Sequence, residues 1–277
     1  SGKVAGLCRN VDKADAFPGH SYSAYDTFPL SDSTGTTAKS RCDKYGNSGK
    51  RKAGYAYGPH IGEGINEEAL NELRCLSGEG GNGARDIFDN KLAIIHGTAA
   101  NAEIIRRMAA AGSKLVWSPR SNVSLYGDTA QIPIFKNLGV TIALGTDWTP
   151  SGSANMLREI QCADFLNTYY YDHVLSDYDL WMIATYNGAL ALGFSDVAGN
   201  IADGMYADIA VFHKSGREGY RAVIDADNKD VALVVLDGKL VYGDAAIVTE
   251  PDAESLDVCG SAKRILTKAT GSSKTYS

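Results

Sequence analysis

"KLAIIHGTAANAEIIRRMAAAG", residues 91–112, decides the fold. It opens on an apolar run that stops at His96. It continues with Ile104, Ile105, Met108 and Ala109 at the spacing of one helical face, and Gly112 marks the helix end. The unit recurs downstream. "KLVWSPRSN" (114–122) reads as the next strand run, "DTAQIPIFKNLG" (128–139) as a short helix ending at Gly139, and "VTIALGTDWTPSGS" (140–153) as a third run. Ser153 is then the expected N-cap of a helix through "ANMLREIQCADFL" (154–166). Three near-continuous apolar strands separated by helices imply a parallel sheet buried on both faces.

Upstream, "KAGYAYGPHIGEGINEEALNEL" (52–73) gives a short strand, then His60 and Glu63 just after Gly58-Pro59, and turns helical at Asn66. His60, His96, the segment Ser118 to Asn122, and Asp147 therefore all follow an apolar run instead of preceding it. Polar chemistry gathered at one end of successive parallel strands is the arrangement of α/β barrel active sites.

Beyond residue 198 the pattern changes. "GNIADGMYADIAVFH" and "KDVALVVLDGKLVYGD" are short strands broken by Gly199, Gly204 and Gly238, which suits a small antiparallel sheet. The expected organisation is a barrel portion over 1–198, sheet strands over 199–250 and a tail over 251–277. The first 50 residues read as loop, with only "SYSAYDTFPL" strand-like. The Tyr169 to Tyr171 run is expected to pack against the barrel.

The 277 residues are 44% hydrophobic with a net charge of -6, which argues against a nucleic-acid surface and favours small-molecule partners. No apolar run reaches the roughly 20 residues that span a bilayer, and the first residues lack a signal-peptide core. Compartment stays open, cytoplasmic or secreted. Five cysteines without a CxxC or CxxH pair exclude the usual structural zinc site, and Cys8 and Cys42 are candidates for a disulfide in an oxidising compartment. "GEGGNGARD" (78–86) has the glycines of a phosphate loop but follows a helix, the wrong context for nucleotide binding.

"HIGEG", "IIHGT", "LVWSPRSNVSLYG", "TIALGTDWTPSGS" and "GNIADGMYADIAVF", in this order, resemble the amidohydrolase superfamily, in the branch containing cytosine deaminase and the triazine hydrolases. The resemblance covers roughly residues 54 to 243. It implies a (β/α)8 barrel, here without its N-terminal strands, followed by part of a small β-sandwich. It also implies one divalent metal ion, zinc first and iron as the alternative. His60 is similar to the family's metal-binding histidine on barrel strand five, and Glu63 to the glutamate that shuttles a proton to the leaving nitrogen. His96 is similar to the strand-six histidine that ligates the metal or hydrogen-bonds the attacking water. Asp147 is similar to the strand-eight aspartate that binds metal and accepts that water's proton. The expected metal set is His60, His96 and Asp147, and the catalytic set Glu63, His96 and Asp147. Arg120, Ser121 and Asn122 are expected to bind substrate, with Trp117 and Trp148 as walls.

The chemistry needs these types on its own terms. Hydrolysis of a carbon–nitrogen bond requires an activated water, a group to take its proton and an acid for the departing nitrogen. Two-metal relatives add a carboxylated lysine after strand four. Lys50 and Lys52 follow no clear apolar strand, which favours one metal.

The family's His-x-His is absent. The histidines are His20, His60, His96, His173 and His213, and no two lie one residue apart. The chain is therefore expected to be the C-terminal part of a longer enzyme, acting as an oligomer or with a complementing N-terminal segment. The rival expectation is a non-catalytic binding or structural protein on the same scaffold. His20, His173 and His213 are expected to be structural.

Overall fold

A computed structural model describes residues 9–13, 15–20, 23–27, 42, 54–81 and 83–266. Lys50, Lys52 and Cys8 lie outside them. Five parallel strands form one sheet in the order β1-β2-β3-β4-β5: β1 Ala24–Asp26, β2 Tyr57–Ile61, β3 Ala93–His96, β4 Lys114–Trp117 and β5 Ile142–Leu144. Spatial order equals chain order. The helices between them are α1 Glu67–Leu76, α2 Ala102–Ala111, α3 Pro119–Tyr126 and α4 Ile132–Asn137, followed by α5 Met156–Tyr169, α6 Asp177–Ala184 and α7 Tyr186–Leu192.

The core lies between this sheet and its helices, where Ile61, Leu73, Ile94, Ile104, Ile105, Met108, Leu115, Trp117 and Phe135 are all buried. Full burial of each aliphatic side chain contributes about 1.5–3 kcal/mol. The periodicity of residues 102–111 thus becomes packing: Ile104, Ile105 and Met108 are the buried face of α2. Asn101 caps that helix through the Ile104 N–H, and Gly112 ends it in the left-handed conformation. Asn66 caps α1 in the same way through the Ala69 N–H.

Three local expectations need correction. The run 114–122 is not one strand: β4 stops at Trp117, and Pro119, whose missing N–H costs nothing at a helix start, opens α3. The cap of α5 is Asn155, which accepts from Arg158 N; the Ser153 hydroxyl instead accepts from Arg120 Nε at 2.8 Å. Tyr169 and Tyr170 are exposed, and only Tyr171 packs, its ring 6.2 Å from Trp117 and its hydroxyl donating to the Ala130 carbonyl.

The second sheet is antiparallel in the order β6-β7-β8-β10-β9, from β6 Ile209–Phe212, β7 Val231–Leu236, β8 Lys239–Asp244, β9 Ala253–Val258 and β10 Ser261–Leu266. A short helix α8, Arg221–Ile224, lies between β6 and β7. The sheet runs through residue 266, past the boundary at 250 expected from sequence. Alternating exposure in β9 and β10 left too little apolar signal there. Cys42 pairs with Cys75, not with Cys8, closing a 33-residue separation between the segment before β2 and the end of α1. Among the described residues no helix is long and apolar enough to cross a membrane.

Candidate metal centre

The ends of β2, β3 and β5 converge. Register pairs His60 with Ile95 and Ile61 with His96, so the two histidines stand on adjacent strands with ring centroids 5.0 Å apart. Asp147 reaches the same point from the loop after β5. Among the described residues, His60, His96 and Asp147 each offer a ligand atom, and these atoms lie within 4.8 Å of one another.

The backbone bends to achieve this. His96 and Asp147 both occupy the left-handed region, at φ 73° and 54°, a conformation that costs on the order of 1–3 kcal/mol and gathers at functional sites. Gly62, at φ 65°, turns the chain after β2 and brings Glu63 over the strand ends. Its N–H donates to Glu72 Oε2 at 2.8 Å, which ties the turn to α1.

Each functional group has its partner. His60 Nδ1 donates to the Asp26 carbonyl at 3.1 Å, leaving Nε2 with its lone pair. Ser121 Oγ donates to Asp147 Oδ2 and lies 2.9 Å from Ser151 Oγ. Tyr126 donates to Glu63 Oε1 at 2.9 Å, while Glu63 Oε2 lies 3.6 Å from His96 Nε2. His96 is buried, and burial lowers its pKa against the opposing pull of Glu63 and Asp147, so the ring is held toward the neutral form. Its Nε2 finds no hydrogen-bond partner. Burial, with Glu63 adding to it, raises the Tyr126 phenol and keeps it a donor.

The remaining expected residues fall as follows. Asn122 is buried, its amide between His96 Nδ1 at 3.0 Å and Thr129 Oγ1 at 3.3 Å. Trp117 is buried in the core, its indole N–H donating to Thr129 Oγ1 at 2.7 Å. Arg120 is engaged by Ser153 and the Arg158 carbonyl, and Trp148 is 71% exposed. Tyr126, Ser151 and Thr129 were not singled out from sequence. The signal was the α3 helix itself, because Asn122 and Tyr126 stand four apart on one face of it. A large apolar cavity of about 860 Å³, lined in part by Met156, Trp181, Phe212, Val231 and Tyr242, lies between α5, α6 and the second sheet. It contains none of the groups above.

Residues 57–241 match the model of the amidohydrolase family. The chain belongs to the amidohydrolase family. The 5-methylthioadenosine/S-adenosylhomocysteine deaminase of Pyrococcus abyssi is 29% identical over 210 residues, 69% of this chain and 48% of that protein. The deaminase of the same name from Desulforamulus reducens is 32% identical over 145 residues, 49% of this chain and 34% of that protein. The chain thus spans about half, or less, of the length of these curated relatives. An adenosine deaminase from Xanthomonas campestris, solved with bound zinc, superposes with a TM-score of 0.57 at 23% identity, over 67% of this chain and 45% of that one. E. coli guanine deaminase gives 0.58 at 20% identity, over 68% and 48%. These structures share an α/β fold with this amidohydrolase.

Proposed function

We propose that the chain carries the C-terminal half of a metal-dependent hydrolase that breaks carbon–nitrogen bonds in amino-substituted nitrogen heterocycles. The observation that carries this is the convergence of His60, His96 and Asp147 within 4.8 Å, with Glu63 beside them. The residues suit a divalent ion: His60 presents Nε2 because Nδ1 is committed to a carbonyl, and Asp147 presents a carboxylate already oriented by Ser121. Mixed imidazole and carboxylate donors favour zinc, with iron the alternative. When bound, the ion lowers the pKa of a coordinated water toward about 7.

The protein groups then divide the proton work. Asp147 accepts the proton of the attacking water. Glu63, whose Oε1 is held by Tyr126, keeps Oε2 free to deliver a proton to the departing nitrogen. Trp148, exposed at the mouth, is placed to meet substrate. The names of the relatives support an amino-purine or related ring as the substrate class. Strand order equal to chain order supports an arc of a (β/α)8 barrel, and the second sheet supports part of a β-sandwich. β1 carries Ala24, Tyr25 and Asp26 and no lysine, which favours one metal over two. Further ligands, which the family takes from His-x-His, would come from a complementing segment or a second chain. The retained, ordered set of chemical groups does not favour a non-catalytic scaffold.

The test is ammonia release by the zinc-loaded chain from adenosine, 5-methylthioadenosine, S-adenosylhomocysteine and guanine. Turnover abolished by Glu63→Gln supports the reading. Zinc bound but no ammonia from any of them removes catalysis from this chain alone.

A further inference from the structure

Two imidazoles stand 5.0 Å apart at the strand ends, and what lies behind each differs. A neutral imidazole carries one proton, and the partner of one nitrogen decides the state of the other. Behind His60 is the Asp26 carbonyl, which only accepts, so Nδ1 is the protonated nitrogen and Nε2 is bare. Behind His96 is the Asn122 side-chain amide, with Nδ2 3.0 Å from Nδ1.

The orientation of that amide follows from the groups behind it. Trp117 Nε1 is a donor only, and it donates to Thr129 Oγ1 at 2.7 Å. The Thr129 hydroxyl in turn donates to Asn122 Oδ1 at 3.3 Å. With its oxygen engaged, Asn122 offers His96 an NH2, which can only donate. Nδ1 then accepts, and the single proton of the buried ring stands on Nε2. The far side of the ring agrees: Nε2 faces two carboxylate oxygens, Glu63 Oε2 at 3.6 Å and Asp147 Oδ2 at 3.9 Å. A bare nitrogen there would set its lone pair against theirs.

We propose that Asn122 is a positioning residue that, through the Trp117–Thr129 relay, fixes His96 in the Nε2–H tautomer opposite to that of His60. The consequence rests on the metal-dependent reading: on this chain the ion falls to His60 and Asp147, and His96 serves as a hydrogen-bond donor toward the attacked centre. The tautomer itself does not depend on that reading. The assignment also takes Asn122 out of direct substrate contact.

The test is nitrogen-15 NMR of the ring nitrogens in metal-free, uniformly labelled full chain, with His96→Gln to assign the His96 signals. The expected wild-type pattern has Nδ1 in the unprotonated range and Nε2 in the protonated range for His96, and the reverse for His60. In Asn122→Asp, whose carboxylate accepts from the ring, the His96 proton moves to Nδ1. Thr129→Val, which frees the amide to turn, gives a second route if Asn122→Asp does not fold, and is expected to mix the two tautomers. Adding zinc to wild type then shifts the His60 ring signals and leaves His96 Nε2 protonated. A wild-type His96 with its proton on Nδ1 overturns the proposal, as does an unchanged Nε2–H pattern in a folded Asn122→Asp. Zinc that shifts no histidine signal would sink the metal reading and leave the tautomer result standing.

Discussion

Ser121→Ala isolates the support beneath the proposed metal ligand Asp147. Asp147 is held in a left-handed backbone conformation, and its Oδ2 accepts the Ser121 hydroxyl, which lies 2.9 Å from Ser151 Oγ. Removing that hydroxyl deletes one hydrogen bond to a charged acceptor, worth about 1.5–3 kcal/mol. Groups that orient metal ligands typically contribute about 10–100-fold in metal affinity, or about 1.4–2.7 kcal/mol, so the two routes to the magnitude agree. Zinc affinity, measured by competition with a chromogenic chelator, is therefore expected to fall about 10–100-fold in Ser121→Ala, with thermal unfolding run in parallel to establish the fold. A folded variant whose zinc affinity stays within about twofold of wild type, less than about 0.5 kcal/mol, would refute the claim that Ser121 presents Asp147 to a metal.

Three further perturbations test neighbouring parts of the account. Gly62→Ala forces a left-handed residue and puts a Cβ 2.6 Å from buried Leu73 Cδ1; about 2–5 kcal/mol of destabilisation is expected in urea unfolding, and a negligible loss would contradict the reading of this turn. Glu159 is buried, accepts the Arg120 N–H at the start of α3, and has its pKa raised chiefly by burial. A raised carboxyl contributes stability that is present below the ordinary carboxylate range, near 4.3, and is lost as pH rises through the folded value. Glu159→Gln is expected to gain on wild type between pH 4 and pH 8, and a pH-independent difference would refute this. Reduction of Cys42–Cys75, which closes a 33-residue separation, is expected to cost about 3–4 kcal/mol in the chain-entropy picture. Equal urea midpoints with and without reductant would count against a disulfide there.

The strand and helix rhythm of residues 91–112 was legible because both periods are strong, and the chemistry at the strand ends was legible because His60, His96 and Asp147 each close an apolar run. α3 was hidden by Pro119, read as a turn when it is the first residue of a helix. With α3 hidden, the helical face that carries Asn122 to His96 and Tyr126 to Glu63 could not be seen. The Cys42–Cys75 pairing was not legible because five cysteines leave connectivity open. β9 and β10 were missed because their exposed polar residues outnumber buried ones, so burial in the second sheet had almost no compositional trace. The left-handed backbone at His96 is equally silent in sequence, since it is imposed by the convergence of three strands and not by local preference.

The central claim is that the ends of β2, β3 and β5 make a metal centre, and zinc stoichiometry on the purified chain tests it most directly. Elemental analysis after equilibration with zinc and desalting should find about one ion per chain, lost in His60→Ala and in Asp147→Ala and retained in His173→Ala. A folded wild-type chain that takes up no zinc from excess, or one that keeps its zinc in both His60→Ala and Asp147→Ala, would contradict it.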